Sequence, residues 1–316
     1  MFFDPLWEVF FIIKLKITDL NGAEKFSTSG DSIDAVCKLE FALGDKISVN
    51  TGGAEFVSVQ FDETLAESII YTPSGSFDYP IPYGELTAGY DKVAFTGTEH
   101  RLKVCEAPEN KAYGDRIISL NAYDLRGQKG YFPHAYANLV TREDPCFFER
   151  NAIDGVCDNS SHGDYPYHSW AGGAREDLEY YIDFGTEVEV SSLVFYLRAD
   201  FPHDTYWKSL DVVFDGGERA AANFQKTSDG QALELTEKIK TRTVHLTNFK
   251  QAEIPFSWAA LSQIEVYGNY IKEDLSKMEI RCASNPKDVK HYTTERLREE
   301  FHISKLFTKD NIRMVY

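Results

Sequence analysis

Val188–Trp207 reads VEVSSLVFYLRADFPHDTYW, and its first half decides the fold. Leu193, Phe195 and Leu197 fall on one face at the period-2 spacing of a half-buried strand. The alternation stops where Arg198, Asp200, His203, Asp204, Tyr206 and Trp207 crowd together, and Pro202 cannot continue a central strand. The polar cluster is therefore expected on the loop where the strand ends. Charge, imidazole and indole on a loop carried by a rigid sheet suit a binding site. A buried Arg–Asp pair and a core Trp that merely fasten the loop would leave the same pattern.

Working outward, strand signals recur on both sides: EYYIDFG, SLDVVFDGG, AANFQKT, QALELTE, RTVHLTNF and SQIEVYG, cut by Asp215-Gly216-Gly217 and Asp229-Gly230. Leu210, Val212 and Phe214 share one face of the second of these. The first third of the chain has the same texture. KLKITDLNGAEKF carries a hairpin signal at Asn21-Gly22, and KLEFALGDKISV and AEFVSVQFDE repeat the alternation. Few windows show a 3.6-residue apolar period. The reading is all-β: two antiparallel β-sandwiches, over 12–110 and 111–268. A 1–11 extension precedes them, and a 269–277 linker and a short mixed tail over 278–316 follow. Tyr79, Pro80, Pro82 and Tyr83 read as an aromatic binding edge or a packed turn, and His134 as a structural histidine.

Composition narrows the function. The 316 residues carry a formal charge of −17, which argues against nucleic acid and against anionic membranes as partners. Apolar residues make up 43%, with 22 Phe and 18 Tyr, enough for real cores. The five cysteines have wide, irregular spacing and no CxxC pair, which favours reduced thiols and a cytoplasmic location. The opening MFFDPLWEVFFIIKLKI is greasy, but it lacks a basic start and a cleavage site and is too short to span a bilayer.

Four ordered pieces carry a resemblance: RNAIDG (Arg150–Gly155), HSW (His168–Trp170), YIDFG (Tyr181–Gly185) and LSQIEVYG (Leu261–Gly268). In this order and spacing, about Cys146–Gly268 resembles the galactose-binding-like domains, the discoidin or coagulation factor 5/8 type C modules and their carbohydrate-binding-module relatives. The resemblance implies an eight-stranded jelly-roll sandwich that binds ligand with loops at one end. It also implies a structural calcium, for which Asp154 and Glu265 sit at or near the matching places; Asp154 capping the turn before Gly155 is the alternative. For a sugar, Trp170, Trp207 and Tyr206 would supply the aromatic platform. Arg198, Asp200, His203, Asp204, His162 and His168 would supply polar contacts. Arg198 would suit a uronate carboxylate. Trp170 reads more readily as core than as platform. No HxH or HExxH spacing groups His162, His168 and His203 as a transition-metal site, and no nucleophile motif makes His203 and Asp204 acid–base catalysts.

After Gly268 the composition changes. All 21 glycines and all four tryptophans lie before Asn269, and from Lys272 onward ten Lys and Arg stand against eight Asp and Glu. Met278–Tyr316 (MEIRCASNPKDVKHYTTERLREEF, then KLFTKDNIRMVY near the end) closely resembles the start of the 5-keto-4-deoxyuronate isomerases. Those are cupin-fold zinc enzymes of pectin and uronate breakdown. Their metal ligands lie in a part beyond this stretch, so zinc and every catalytic residue stay outside the chain. His291 and His302 read as surface or packing residues, and TERLREEF as a short helix. The expectation is a non-catalytic carbohydrate-binding protein beside uronate catabolism, taking a sugar or uronate oligosaccharide. The alternatives are the opening part of a fused or truncated isomerase, inactive as it stands, and a protein–protein scaffold.

Overall fold

The computed structural model describes residues 12–175, 177–199, 205–252, 258–272, 279–282 and 290–293. Met1–Tyr270 form one compact unit and Ile271–Tyr316 a second. Among the described residues no helix is long and apolar enough to cross a membrane.

The first sandwich follows from alternation. β1 (Ile13–Thr18), β2 (Glu24–Gly30), β4 (Lys46–Asn50) and β7 (Ser76–Pro80) make one antiparallel sheet in the order β2-β1-β4-β7. β3 (Ser32–Cys37), β5 (Phe56–Gln60), β6 (Ser68–Tyr71) and β8 (His100–Glu106) make the other, in the order β3-β8-β5-β6. Ile13, Leu15, Ile17, Ile47, Val49, Phe77 and Tyr79 point inward from the first sheet and meet Ile33, Val57, Val59, Leu102 and Val104 from the second. The outer face of the first sheet is polar, with Lys14, Lys16, Ser48, Asn50, Ser76 and Asp78 at the alternate positions. The Asn21-Gly22 hairpin forms, but not as a two-residue turn. Thr18 pairs with Glu24, and the Asp19 carboxylate closes the wider loop by accepting from Asn21 N and Ala23 N, both at 2.8 Å.

The second sandwich contains β9 (Arg116–Ile117), β10 (His134–Ala137), β11 (Tyr180–Arg198), β12 (Trp207–Phe214), β13 (Arg219–Asn223), β14 (Gln231–Gln251) and β15 (Ala260–Tyr270). Among the described residues these seven strands are ordered β13-β12-β14-β11-β15-β9, with β10 added on β11. Two long strands make the architecture. Register breaks between Asp183 and Val188 divide β11, so its first part pairs with β10 and the end of β14, and its second part with β15 and the start of β14. The break sits at Gly185, whose φ of 76° is left-handed and whose Cβ, if present, would lie 2.4 Å from the Phe132 ring. Inward residues from both halves, Tyr180 and Ile182 with Leu193, Phe195 and Leu197, then fill one core. β11 stops at Arg198, as the sequence predicts.

β15 runs through Tyr270, two residues past the expected end of the domain. The buried Tyr270 ring meets Phe56 of the first sandwich edge-on at 4.9 Å. Backbone bonds between Tyr71 and Phe132, both 2.9 Å, reinforce this seam. In the second unit, β16 (Glu279–Cys282) pairs antiparallel with β17 (Lys290–Thr293). The expected helix over TERLREEF lies outside the described residues.

Candidate functional site

The loop cluster sorts into three groups. Asp200, His203 and Asp204 lie outside the described residues. Trp170 and Trp207 are completely buried, with ring centroids 5.8 Å apart, and Phe249 lies 4.8 Å from Trp207. Trp170 donates from Nε1 to Leu139 O at 3.1 Å, and its backbone exchanges two bonds with Leu261. These indoles are core, and neither presents a face to a ligand. Tyr206 is half-buried against the same core.

The RNAIDG and HSW pieces build a buried polar knot instead of a ligand loop. His168 Nε2 lies 2.6 Å from Asp154 Oδ2, and Arg150 Nη2 lies 3.6 Å from the same oxygen. Arg150 donates to the carbonyls of Asp124, Gly89 and Ala122, and its guanidinium sits 4.3 Å over the Tyr90 ring. A buried arginine must be paired and hydrogen-bonded to be tolerated, and this one ties three chain segments together. His168 is thus buried, with Nε2 committed to Asp154, and presents no ring edge at the surface.

The same knot decides the fit to calcium. Asp154 Oδ1 accepts from Val156 N at 3.0 Å, while Oδ2 faces His168 and the Arg150 cation. Glu265 accepts from Tyr267 Oη at 2.8 Å. A calcium ion needs six to eight oxygens, and a guanidinium beside its main carboxylate opposes it. Among the described residues no group of three or more His, Cys, Asp and Glu side chains could hold a metal. Asp154 and Glu265 do not fit calcium, and Asp154 is the turn cap and ion-pair partner.

His162 and Arg198 do come together. They line a small cleft of about 150 Å³ with Thr141, Arg142, Phe147, Ala171 and Trp258. Arg198, at the last position of β11, is almost fully buried and donates from Nη2 to Trp258 O at 3.1 Å. Trp258 N donates to Thr205 Oγ1 at 3.2 Å, so the backbone under this indole is held on both sides. The residue is 42% exposed, which no other tryptophan among the described residues matches. Across the cleft Arg142 lies 5.2 Å over the Phe147 ring, and Arg142 and Glu143 both adopt left-handed backbone, with φ of 56° and 53°. Two adjacent non-glycine residues in that region are costly and mark a loop held in one shape by its surroundings. An indole face flanked by two guanidiniums and an imidazole can stack on an apolar ring face while donating to oxygen acceptors. Trp258 and Arg142 escaped the sequence reading because nothing local links them to Arg198.

No protein-family profile matches the chain. Among curated proteins, 4-deoxy-L-threo-5-hexosulose-uronate ketol-isomerase of Lachnoclostridium phytofermentans is 64% identical over 39 residues, 12% of this chain and 14% of that protein. Its counterpart in Oceanobacillus iheyensis is 62% identical over the same length. The chain therefore spans about a seventh of the length of the curated relatives it matches. Among solved structures, a fucose binding module of Streptococcus pneumoniae overlaps with a TM-score of 0.35 at 16% identity, over 50% of this chain and 99% of that one. Chitosan-binding module 1 from the chitosanase/glucanase of Paenibacillus sp. IK-5 gives 0.34 at 16%, over 48% and 99%. The family 32 carbohydrate-binding module of C. perfringens NanJ, in complex with galactose, gives 0.33 at 16%, over 42% and 91%. These neighbours are carbohydrate-binding modules, and the antiparallel sandwich of this chain stands on its own strand order.

Proposed function

We propose that the chain is a non-catalytic carbohydrate-binding protein that grips a sugar in the cleft between Trp258, Arg198 and His162. One observation carries the reading: a half-exposed indole whose own carbonyl anchors a buried guanidinium. Pyranose rings have an apolar C–H face, for which an aromatic plane is the natural partner, and hydroxyls that need fixed donors and acceptors. Arg198 and Arg142 place guanidinium groups at the cleft, the donor type that pairs with sugar carboxylates and hydroxyls. Titration with galactose and its short neutral oligomers, read by intrinsic tryptophan fluorescence and calorimetry, tests the reading. Saturable binding that Trp258→Ala removes supports it, and no binding across a broad glycan panel overturns it.

The 39-residue similarity supports placing the protein beside uronate and pectin breakdown, with the ketol-isomerase activity belonging to the remainder of such an enzyme. On this reading the chain alone has no isomerase activity. Sequencing the coding DNA beyond the codon for Tyr316 tests it: an open frame into a histidine-rich cupin supports the fusion, and an unrelated continuation opposes it. Cys37, Cys105, Cys146 and Cys157 are all free thiols, consistent with the cytoplasm as the place of action.

A further inference from the structure

A larger cleft lies elsewhere, about 800 Å³ between the polar outer face of the first sandwich and the segments around Leu125–Lys129 and Pro145–Asn151. That volume lies within the range of ligand pockets, about 300–1,000 Å³. Its charge is opposite to that of the protein. Acids outnumber bases 50 to 33 in the chain, yet the charged side chains lining the cleft are five Lys or Arg and a single acid, Asp78. Arg150 belongs to the buried knot, and Arg126 and Lys16 have acidic partners in Glu149 and Glu24, both at 3.6 Å. Lys14 and Lys129 remain as exposed cations on opposite walls.

The wall carrying Lys14 is a flat array set by register. Lys14, Asn50 and Ser76 form one cross-strand row, and Lys16, Ser48 and Asp78 the next. Neighbouring strands are about 4.8 Å apart, so amide, hydroxyl and ammonium groups repeat across the wall at that spacing. Pro82 and Phe148 add apolar surface at the lip. A peptide adding as a strand beside this cleft would use β7, one of the two edges of the sheet. Pro80 and Pro82 have no N–H, and Ile81 N is spent on Asp45 O at 2.9 Å, so this edge offers no free donors there. We propose that this cleft is a second ligand site, for an anionic oligosaccharide whose carboxylates meet Lys14 and Lys129 and whose hydroxyls meet the Ser48–Asn50 wall. It is separate from the Trp258 cleft and does not depend on it.

The test is calorimetry of the full chain with a galacturonic acid trimer at low salt, in wild type, in a Lys14→Ala/Lys129→Ala double variant and in Trp258→Ala. Both lysines are exposed, so the double variant retains the fold. The expected result is at least a tenfold loss of trimer affinity in the lysine variant, a similar loss on adding salt, and retention of this binding in Trp258→Ala. Unchanged affinity in the lysine variant overturns the proposal, as does a wild type that binds no trimer. A poly-glutamate peptide that binds as tightly as the trimer, and loses affinity in the same lysine variant, also overturns it, because the site would then read charge alone.

Discussion

Arg198 closes β11 by donating from Nη2 to the carbonyl oxygen of Trp258 at 3.1 Å, which joins the end of one core strand to the residue two positions before another, β15. The bond fixes the only half-exposed indole among the described residues over a cleft that also contains His162 and Arg142. Two residues 60 positions apart become one surface, with the guanidinium as its support.

The two fates of tryptophan separate cleanly by mutation. Trp207→Ala empties a buried ring site and should cost about 3–5 kcal/mol. Trp258→Ala should cost under about 1 kcal/mol, because its ring is partly in solvent already. Chemical denaturation of the two variants checks the contrast, and equal losses would contradict the core assignment of Trp207.

Asp154 is expected to matter for stability and not for metal. Asp154→Ala leaves the Arg150 cation buried without its nearest carboxylate, a loss of about 3 kcal/mol or more. Adding calcium or a chelator should leave the Tm of the wild type unchanged. A calcium-dependent rise in Tm that Asp154→Ala abolishes would overturn the turn-cap reading.

Two histidines should give stability opposite dependences on pH. Burial alone would lower the pKa of His134, but its hydrogen bond to the Asp124 carboxylate at 2.7 Å, with that charge, leaves it raised above 6.5. Its stabilising contribution is therefore full below 6.5 and lost as pH rises through the raised value. His245 is lowered from 6.5 by burial, against the opposing charge of Glu179, and stacks on Tyr181 with centroids 4.0 Å apart. Its contribution is present above 6.5 and lost as pH falls through the lowered value. Denaturation profiles of His134→Gln and His245→Gln against pH should diverge from wild type on opposite sides of 6.5, and divergence on the same side would contradict both assignments.

The strands were legible because alternation reports burial directly, and β11 ended at Arg198 where the pattern broke. Trp207 is buried for a reason that local alternation does not carry. Leu210, Val212 and Phe214 place the even positions of β12 inward, which should put position 207 outside. The register shifts between Trp207, Ser209 and Asp211 reverse the parity and send the indole into the core. RNAIDG and HSW carry the family resemblance, yet their charged residues serve a buried pairing that only three-dimensional contact reveals. Trp258 gave no local signal, since its partner Arg198 is set by topology.

The most direct test of the central claim is the affinity of wild type and Trp258→Ala for a short galacturonate or galactose oligomer, measured with Lys14 and Lys129 already replaced by alanine so that only the smaller cleft reports. The account predicts saturable binding in the lysine background and a loss of tenfold or more, about 1.4 kcal/mol, when Trp258 is removed. Binding that is indifferent to Trp258, or absent for every sugar in the panel, would contradict it.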